Sequence, residues 1–281
     1  MNRLELFLQR LIQTPAVLVG VAAVRGSVPR EVGAWMAVFA HTGPQTEPHK
    51  EPQTLGTVGG GQLEFDAVRH ARSLMQNGAA SGLTVRRYAL GPTLGQCCGG
   101  DVQLSFEPVS AADIAPLRQR LQPIHQPLAL FGGGHVGQAL VRVLAELPFT
   151  LRWIDSRGEV FPKDVPAHVV CEHSDPVQGA VPMLPASARV LVMSFSHAED
   201  LDVVAACLLR QRQQADLPFV GLIGSRTKWA SFRQRLLARG FTEEELAQIS
   251  CPIGVPGVLG KQPEVIAVAV AAQLLQTLAP R

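Results

Sequence analysis

The chain has 281 residues, and its 25 basic and 23 acidic side chains give a net charge of +2 at neutral pH. A hydrophobic fraction of 47% against 17% charged residues excludes a wholly disordered chain, and the length predicts two domains. The small charge imbalance gives no argument for a nucleic-acid or anionic-membrane partner. The longest apolar runs, residues 16–24 and 265–272, are far shorter than the roughly 20 residues of a membrane span. Because the N-terminus also lacks the pattern of a signal peptide, we expect a cytoplasmic protein.

The N-terminal part, residues 1–107, is predicted to form a mixed α/β domain. Leucines at helical spacing predict a helix over residues 4–12, and Leu63, Ala67 and Ala71 begin the pattern of a second helix that ends near residue 76. β-forming residues predict four strands, over residues 17–24, 34–40, 83–90 and 102–107.

The C-terminal part, residues 128–281, alternates strands with helices. Residues 108–127, which separate the two parts, hold four prolines and predict a linker with room for one short helix. Alternating strands and helices predict a parallel sheet with helices on both faces, so we expect a Rossmann-like, doubly wound domain. Its predicted strands cover residues 128–131, 150–154, 168–171, 189–195 and 219–223, and a last helix covers residues 263–278.

The strongest motif of the C-terminal part is residues 132–137, GGGHVG, which follow a predicted strand and begin a helix. Gly132 permits a tight turn, Gly134 lets the backbone approach a pyrophosphate, and Gly137 permits close packing of helix against strand. The N-terminus of the helix then offers free amides to the phosphate charge. The alternative is a glycine turn that serves the fold and binds no ligand.

Five further residues complete a predicted nucleotide site. Asp155 follows the next strand, 18 residues after the last glycine of the motif, where an acid can meet the ribose hydroxyls. Arg157 can contact a phosphate or remain solvated, and His135 can act in catalysis or only in hydrogen bonding and packing. Ser225 and Arg226 follow the fifth strand at the edge where ligands bind in such sheets, although Ser225 can equally cap a helix.

A histidine and two acids beyond the fourth strand form another candidate group. His197 lies there, with Asp200 and Asp202 close in sequence. The three side chains can be acid–base groups, or they can belong to a helix N-terminus with acids in its first turn.

The N-terminal part contains a second glycine turn, Gly59-Gly60-Gly61, directly before a predicted helix. Three glycines allow the backbone to approach an anion closely. The alternative is a tight strand-to-helix turn in which Glu64 favours the N-terminus of the helix.

Two more segments of this part carry candidate ligands. Cys97 and Cys98 stand beside two glycines, which predicts an accessible loop whose thiols can ligate a soft metal or carry sulfur. One buried and one incidental cysteine would explain the same pair. Arg25 and Arg30 lie on a short loop with glycine and proline, where they can pair with an anionic ligand or remain solvated.

Five segments, taken in order, resemble the XdhC family of bacterial xanthine dehydrogenase accessory proteins. They are RGSVPREVGAWMAV, TVGGGQLE, GQCCGG, FGGGHVGQAL with the IDSR that follows it, and GLIGSRTKWASF. The last helix, with the sequence GKQPEVIAVAVAAQLL, is similar to that family as well, so the resemblance covers about residues 15–275.

The resemblance implies a chaperone for a cofactor more than a catalyst. Such proteins bind the molybdenum cofactor, a molybdopterin with dithiolene-bound molybdenum, support its sulfuration by a cysteine desulfurase and deliver it to apo xanthine dehydrogenase. Cys98 matches the Cys-Gly-Gly element of the family and would meet the metal through the cofactor. The implied cofactor-binding residues are Gly59, Gly60, Gly61, Cys97, Cys98, Gly99, Gly100, Arg25 and Arg30. A homodimer is expected because symmetric dimers are the commonest assembly.

The main alternative is an NAD(P)-dependent oxidoreductase that uses the C-terminal domain. Its nucleotide site would comprise Gly132, Gly134, His135, Gly137, Asp155, Arg157, Ser225 and Arg226. Against it, no tyrosine–lysine pair stands out, because the single tyrosine, Tyr88, lies outside the Rossmann part. Turnover of a nicotinamide cofactor would favour this hypothesis. A third hypothesis is a structural partner that docks on the dehydrogenase and binds no cofactor.

Overall fold

The structure is a computed structural model that describes residues 3–40, 54–76, 82–90 and 99–278. The chain divides into two units, Met1–Gln122 and Pro123–Arg281. The fold class expected from the sequence is confirmed, since an antiparallel sheet with helices forms the first unit and a parallel sheet with helices forms the second.

The first unit is built on five described strands that pair antiparallel in the order β3-β2-β1-β5-β4. The strands are β1 (Ala16–Arg25), β2 (Trp35–Phe39), β3 (Thr54–Gly56), β4 (Thr84–Ala89) and β5 (Asp101–Val109). The helices are α1 (Arg3–Leu11), α2 (Gly61–Gln76) and α3 (Ile114–Leu121). The short strand β3 was not predicted, because three residues are too few to show a pattern.

Alternation along β1 explains why helices cover both faces of this sheet. Successive side chains of a strand point to opposite faces. Val17 and Val19 therefore belong to a core with α2, whereas Ala16 and Leu18 belong to a second core with Phe7 of α1. Residues of α3 join that second core, so the segment 108–127, for which the sequence predicts a linker, contributes a helix to the first unit.

The second unit is built on six described strands that pair parallel in the order β11-β10-β9-β6-β7-β8. If these strands are numbered 1 to 6 in chain order, starting with β6, their order read from the β8 edge is 3-2-1-4-5-6. This is the arrangement of doubly wound dinucleotide-binding sheets. The strands are β6 (Gln126–Phe131), β7 (Phe149–Asp155), β8 (Val170–His173), β9 (Arg189–Val192), β10 (Phe219–Leu222) and β11 (Ile249–Ser250).

Helices cover both faces of the parallel sheet. Helices α4 (His135–Leu144) and α8 (Pro263–Gln276) share one core, which includes Leu140 and Leu274. Helices α5 (His197–Gln214), α6 (Arg226–Ala238) and α7 (Glu243–Leu246) share the core on the other face. None of the described helices is long and apolar enough to cross a membrane.

Candidate functional site

Three motif segments of the first unit meet at one end of its sheet. Arg25, the last residue of β1, pairs with Asp101 at the start of β5, so the loop after β1 lies beside the segment before β5. A Cβ added to Gly100 would lie 2.2 Å from the carbonyl oxygen of Ser27, and one added to Gly59 would lie 2.4 Å from Cγ of Pro29. The loop of residues 25–30 therefore packs against both glycine segments, and side chains at these two glycines would not fit.

The amides of the glycine turn converge on the carboxylate of Glu64. Its Oε1 accepts hydrogen bonds from the amides of Val58 and Gly60 at 2.9 Å and of Gly59 at 3.2 Å, and from the hydroxyl of Thr57. Burial alone would raise the pKa of Glu64, but these hydrogen bonds outweigh it and lower the pKa below its ordinary value. The turn thus forms an anion-binding arrangement that an internal carboxylate fills.

The other predicted cofactor residues differ in what surrounds them. No atom of the described residues lies within 4 Å of a Cβ added to Gly60 or Gly99, so both leave room there for a ligand at the backbone. Arg25 is exposed, whereas Arg30 forms an ion pair with Glu31 at 3.1 Å. Gly61 begins α2 at a positive φ of 59°. Cys97 and Cys98 lie outside the described residues, and their predicted role remains a prediction.

In the second unit, backbone carbonyl oxygens leave no space for a side chain at two glycines of the 132–137 turn. Gly132 has a φ of 124°, and an added Cβ would lie 1.9 Å from the carbonyl oxygen of Met193. A Cβ on Gly137 would lie 2.1 Å from the carbonyl oxygen of Gly132, which also accepts a hydrogen bond from Trp153 at 2.9 Å. By contrast, a Cβ added to Gly134 meets no atom within 4 Å in the part of the chain that the structure describes. The turn therefore serves the fold, and Gly134 is the glycine at which a phosphate group has room to approach.

Asp155 lies at the end of β7, as the sequence predicts, but its carboxylate is directed to the protein. It is 1% exposed and accepts four hydrogen bonds, one from the amide of Gly133 at 2.6 Å and three from Arg157. Burial alone would raise the pKa of Asp155, yet these hydrogen bonds lower it. Four bonds use the approximately four lone-pair sites of a carboxylate. A ribose hydroxyl must therefore replace one of them to bind here.

Arg157 also stacks on an exposed aromatic side chain that the sequence reasoning overlooked. Its guanidinium lies 4.3 Å from the centroid of the Phe195 ring, and Phe195 is 65% exposed. Phe195 follows β9, next to β6 in the sheet, so both residues lie at the edge where the strand order reverses. The sequence predicts a strand through residue 195, whereas β9 ends at Val192, so Phe195 lies just beyond the strand, where ligands bind in such sheets.

The acids near His197 have structural partners. Asp200 is buried and accepts a hydrogen bond from the amide of Ser194 at 2.6 Å and an ion pair from Lys228 at 2.6 Å. Asp202 pairs at the surface with Arg239. Lys228 was not predicted as a site residue, although it lies three positions after a serine that begins a helix.

Serine caps account for the two remaining candidate segments of this edge. Ser196 accepts a hydrogen bond from the amide of Glu199 and caps α5, directly before His197. Ser225 does the same for α6 through the amide of Lys228, with Arg226 exposed beside it. Among the described residues, no group of three or more His, Cys, Asp or Glu side chains is placed to hold a metal ion.

Comparison with known proteins matches both units to one family. A family model described as the XdhC and CoxI family matches residues 12–89, and one described as the XdhC Rossmann domain matches residues 128–274. The chain is also similar to the uncharacterized protein YqeB of Escherichia coli K12, with 25% identity over 264 residues. That match covers 93% of this chain and 43% of YqeB, so the chain spans less than half of that relative's length.

A solved structure shares the fold over nearly the whole chain. It is a protein of Bacillus halodurans described as a xanthine dehydrogenase, with a TM-score of 0.76 and 19% sequence identity. The match covers 99% of this chain and 96% of the other. At this identity the likeness concerns the fold of both units.

Proposed function

The chain belongs to the XdhC family, and on that premise we propose that it is an accessory protein of xanthine dehydrogenase that binds the molybdenum cofactor. In this proposal it supports sulfuration of the cofactor by a cysteine desulfurase and delivers it to the apoenzyme. It acts as a homodimer in the cytoplasm and turns over no substrate of its own.

The observation that carries the proposal is the meeting of three family segments at one end of the first unit. The loop of residues 25–30 contacts Gly59 on one side and Gly100 on the other. Consecutive segments are about 30 to 40 residues apart in sequence, and each contains residue types suited to part of a molybdopterin. Their proximity supports one shared ligand.

The residues present fit such a ligand in chemical type. Molybdopterin supplies a phosphate and the sulfurs that hold molybdenum. Arg25 carries an exposed guanidinium for the phosphate, and Gly60 and Gly99 leave space for close approach of a ligand to the backbone. In the proposal Cys98, beside Gly99, supplies a thiol suited to a soft metal environment.

The first test is the molybdenum and pterin content of the protein purified anaerobically from a host that makes the cofactor. We expect near-stoichiometric amounts of both. The Gly60→Ala variant should lose much of this cofactor, because a methyl group enters the open space at the turn. Gly240→Ala is the matched control, since Gly240 also has a positive φ and open surroundings but lies in the second unit. Absence of molybdenum and pterin after incubation with released cofactor would refute the proposal.

The second test concerns the thiol. Cys98→Ala should reduce activation of apo xanthine dehydrogenase by the loaded protein, whereas Cys171→Ala should not, because Cys171 is an exposed free cysteine of the second unit. Unchanged cofactor binding and activation in the Cys97→Ala/Cys98→Ala double variant would remove the thiols from the proposal.

Nucleotide binding by the second unit is the other candidate function, and the strand order and the open position at Gly134 favour it. Titration with NAD(P) tests nucleotide binding, and turnover of the nicotinamide would favour the oxidoreductase hypothesis over the accessory-protein proposal. The saturated carboxylate of Asp155 predicts weak binding of the ribose, so that Arg157→Ala, which frees lone pairs, should strengthen it.

A further inference from the structure

A groove of about 280 Å³ lies between helix α2 and strand β4 of the first unit, away from the glycine turn. Strand β4 is at the edge of the sheet, so its face toward α2 is open on one side. The α2 residues that line the groove recur at helical spacing and share one side of the helix. The lining includes Asp66, Arg69, His70 and Ser73 from α2, and Arg86 and Tyr88 from β4.

Tyr88 lines this groove, and its buried hydroxyl has no hydrogen-bond partner among the described residues. The side chain is 8% exposed and its ring belongs to the core between the sheet and α2. A phenylalanine would pack the same core without burying a polar atom. A buried hydroxyl without a partner is unfavourable, and such a group calls for an explanation, such as a ligand that accepts its hydrogen bond.

Cationic groups form the wall of the groove. Arg86 is exposed, lies 5.6 Å from the centroid of the Tyr88 ring and forms no ion pair with any described carboxylate. Arg69 pairs with Asp66 at 2.7 Å and is largely solvent-exposed. Burial, and after it the charge of Arg86, lowers the pKa of His70 below its ordinary value. Three arginines line the groove, of which Arg69 pairs with Asp66 and Arg87 with Asp101, so the guanidinium of Arg86 leaves a net positive charge.

We propose that this groove binds the phosphate group of a small phosphorylated molecule. The guanidinium of Arg86 pairs with the phosphate, and the hydroxyl of Tyr88 donates a hydrogen bond to one of its oxygens. The volume lies just below the roughly 300–1,000 Å³ of typical small-molecule pockets, so it suits a phosphate with part of the group that carries it. The inference rests on the groove alone and stands apart from the cofactor proposal.

Calorimetric titration of the full chain with inorganic phosphate and with phenyl phosphate, up to about 10 mM, tests this site. We expect saturable binding that weakens about tenfold or more in Arg86→Gln and about fivefold to tenfold in Tyr88→Phe. Arg118→Gln is the control: it removes one surface charge of the same unit, from an ion pair with Glu5, and should change affinity less than twofold. Tighter binding of the ester identifies a phosphorylated molecule, and equal binding identifies free phosphate.

Two results would overturn the proposal. The first is an absence of saturable binding, or an equal effect of chloride at the same ionic strength. The second concerns Tyr88→Phe without ligand, which should be at least as stable as the wild type because it removes an unpartnered buried hydroxyl. A marked loss of stability in that variant would mean that the hydroxyl has a structural partner in the folded protein.

Discussion

Replacement of Glu64 by glutamine tests the internal carboxylate at the glycine turn of the first unit. One oxygen of Glu64 accepts four hydrogen bonds, three from successive backbone amides and one from Thr57. Glutamine keeps the length of the side chain and a carbonyl acceptor but removes the negative charge. The variant therefore isolates the charge from the packing.

The expected loss follows from the kind of bond that changes. A hydrogen bond to a charged group contributes about 1.5–3 kcal/mol, and a neutral one about 0.5–1.5 kcal/mol. Four donors share one half-buried oxygen, so the differences do not simply add. We expect Glu64→Gln to lower the free energy of unfolding by about 2 kcal/mol and Glu64→Ala by about 3 kcal/mol. Alanine removes the acceptor that all four donors share, and of the three amides Gly59 keeps a second acceptor, the hydroxyl oxygen of Thr57 at 3.2 Å.

The difference between wild type and Glu64→Gln should depend on pH in one direction. The pKa of Glu64 is lowered in the folded state, so its stabilisation is complete above the ordinary value of 4.5 and is lost as the pH falls through the folded value. The gap in unfolding free energy should therefore be constant near neutrality and close progressively below pH 4.5.

Urea unfolding followed by circular dichroism measures the gap, and hydrogen exchange of a peptide that contains the 58–60 amides localises it. Glu107→Gln is the control, since Glu107 forms a surface ion pair with Arg120 that contributes about 0–1 kcal/mol. A loss below about 0.5 kcal/mol for Glu64→Gln, or a gap that persists in acid, would refute the reasoning.

Three further predictions concern the second unit. Gly137→Ala should lower the free energy of unfolding by about 3 kcal/mol or more, since the new methyl meets a carbonyl oxygen at 2.1 Å, whereas Gly134→Ala should change it by less than about 1 kcal/mol. Thermal melting compares the two variants, and equal melting temperatures would contradict the packing argument. Asp200→Asn leaves its largely buried lysine partner uncompensated and should cost about 3 kcal/mol in urea unfolding, against about 1 kcal/mol or less for the surface acid in Asp202→Asn. Similar losses for both variants would contradict this difference in burial. Burial raises the pKa of Cys251 to about 11, so at pH 8 iodoacetamide should modify this thiol about 100-fold more slowly than an unperturbed cysteine, and rapid modification seen by mass spectrometry would contradict this.

The sequence predicted those parts of the fold that are locally determined. The strand, glycine turn and helix around Gly132–Gly137 require no distant contact to be recognised, and in the structure they lie at the point where the strand order reverses. Strand β11 and helix α7 were not predicted. Each has four residues or fewer, which is too short for an apolar period, although the capping box of Thr242 and Glu245 marked the start of α7.

The partners of the candidate site residues were harder to predict than their positions. Glu64 and Asp155 lie where the sequence places them, but which donors they accept depends on backbone angles and on contacts between strands. The structural alternatives stated above, a helix N-terminus at His197 and a cap at Ser225, describe the contacts that the structure has. Tyr88 entered the sequence argument only as the single tyrosine, because no pattern reveals an unpartnered hydroxyl.

Both glycine turns contain a carboxylate of the chain itself, Glu64 in one and Asp155 in the other. An incoming anion at either turn must therefore displace this carboxylate. Its net binding free energy is the difference between the free energy with which the amides bind the anion and that with which they bind the carboxylate. When the anion leaves, the carboxylate of the chain, which is tethered beside the turn, takes its place. The amides therefore keep a hydrogen-bond acceptor. For a carrier, such a tethered competitor favours release of the cargo to a recipient over indefinite retention.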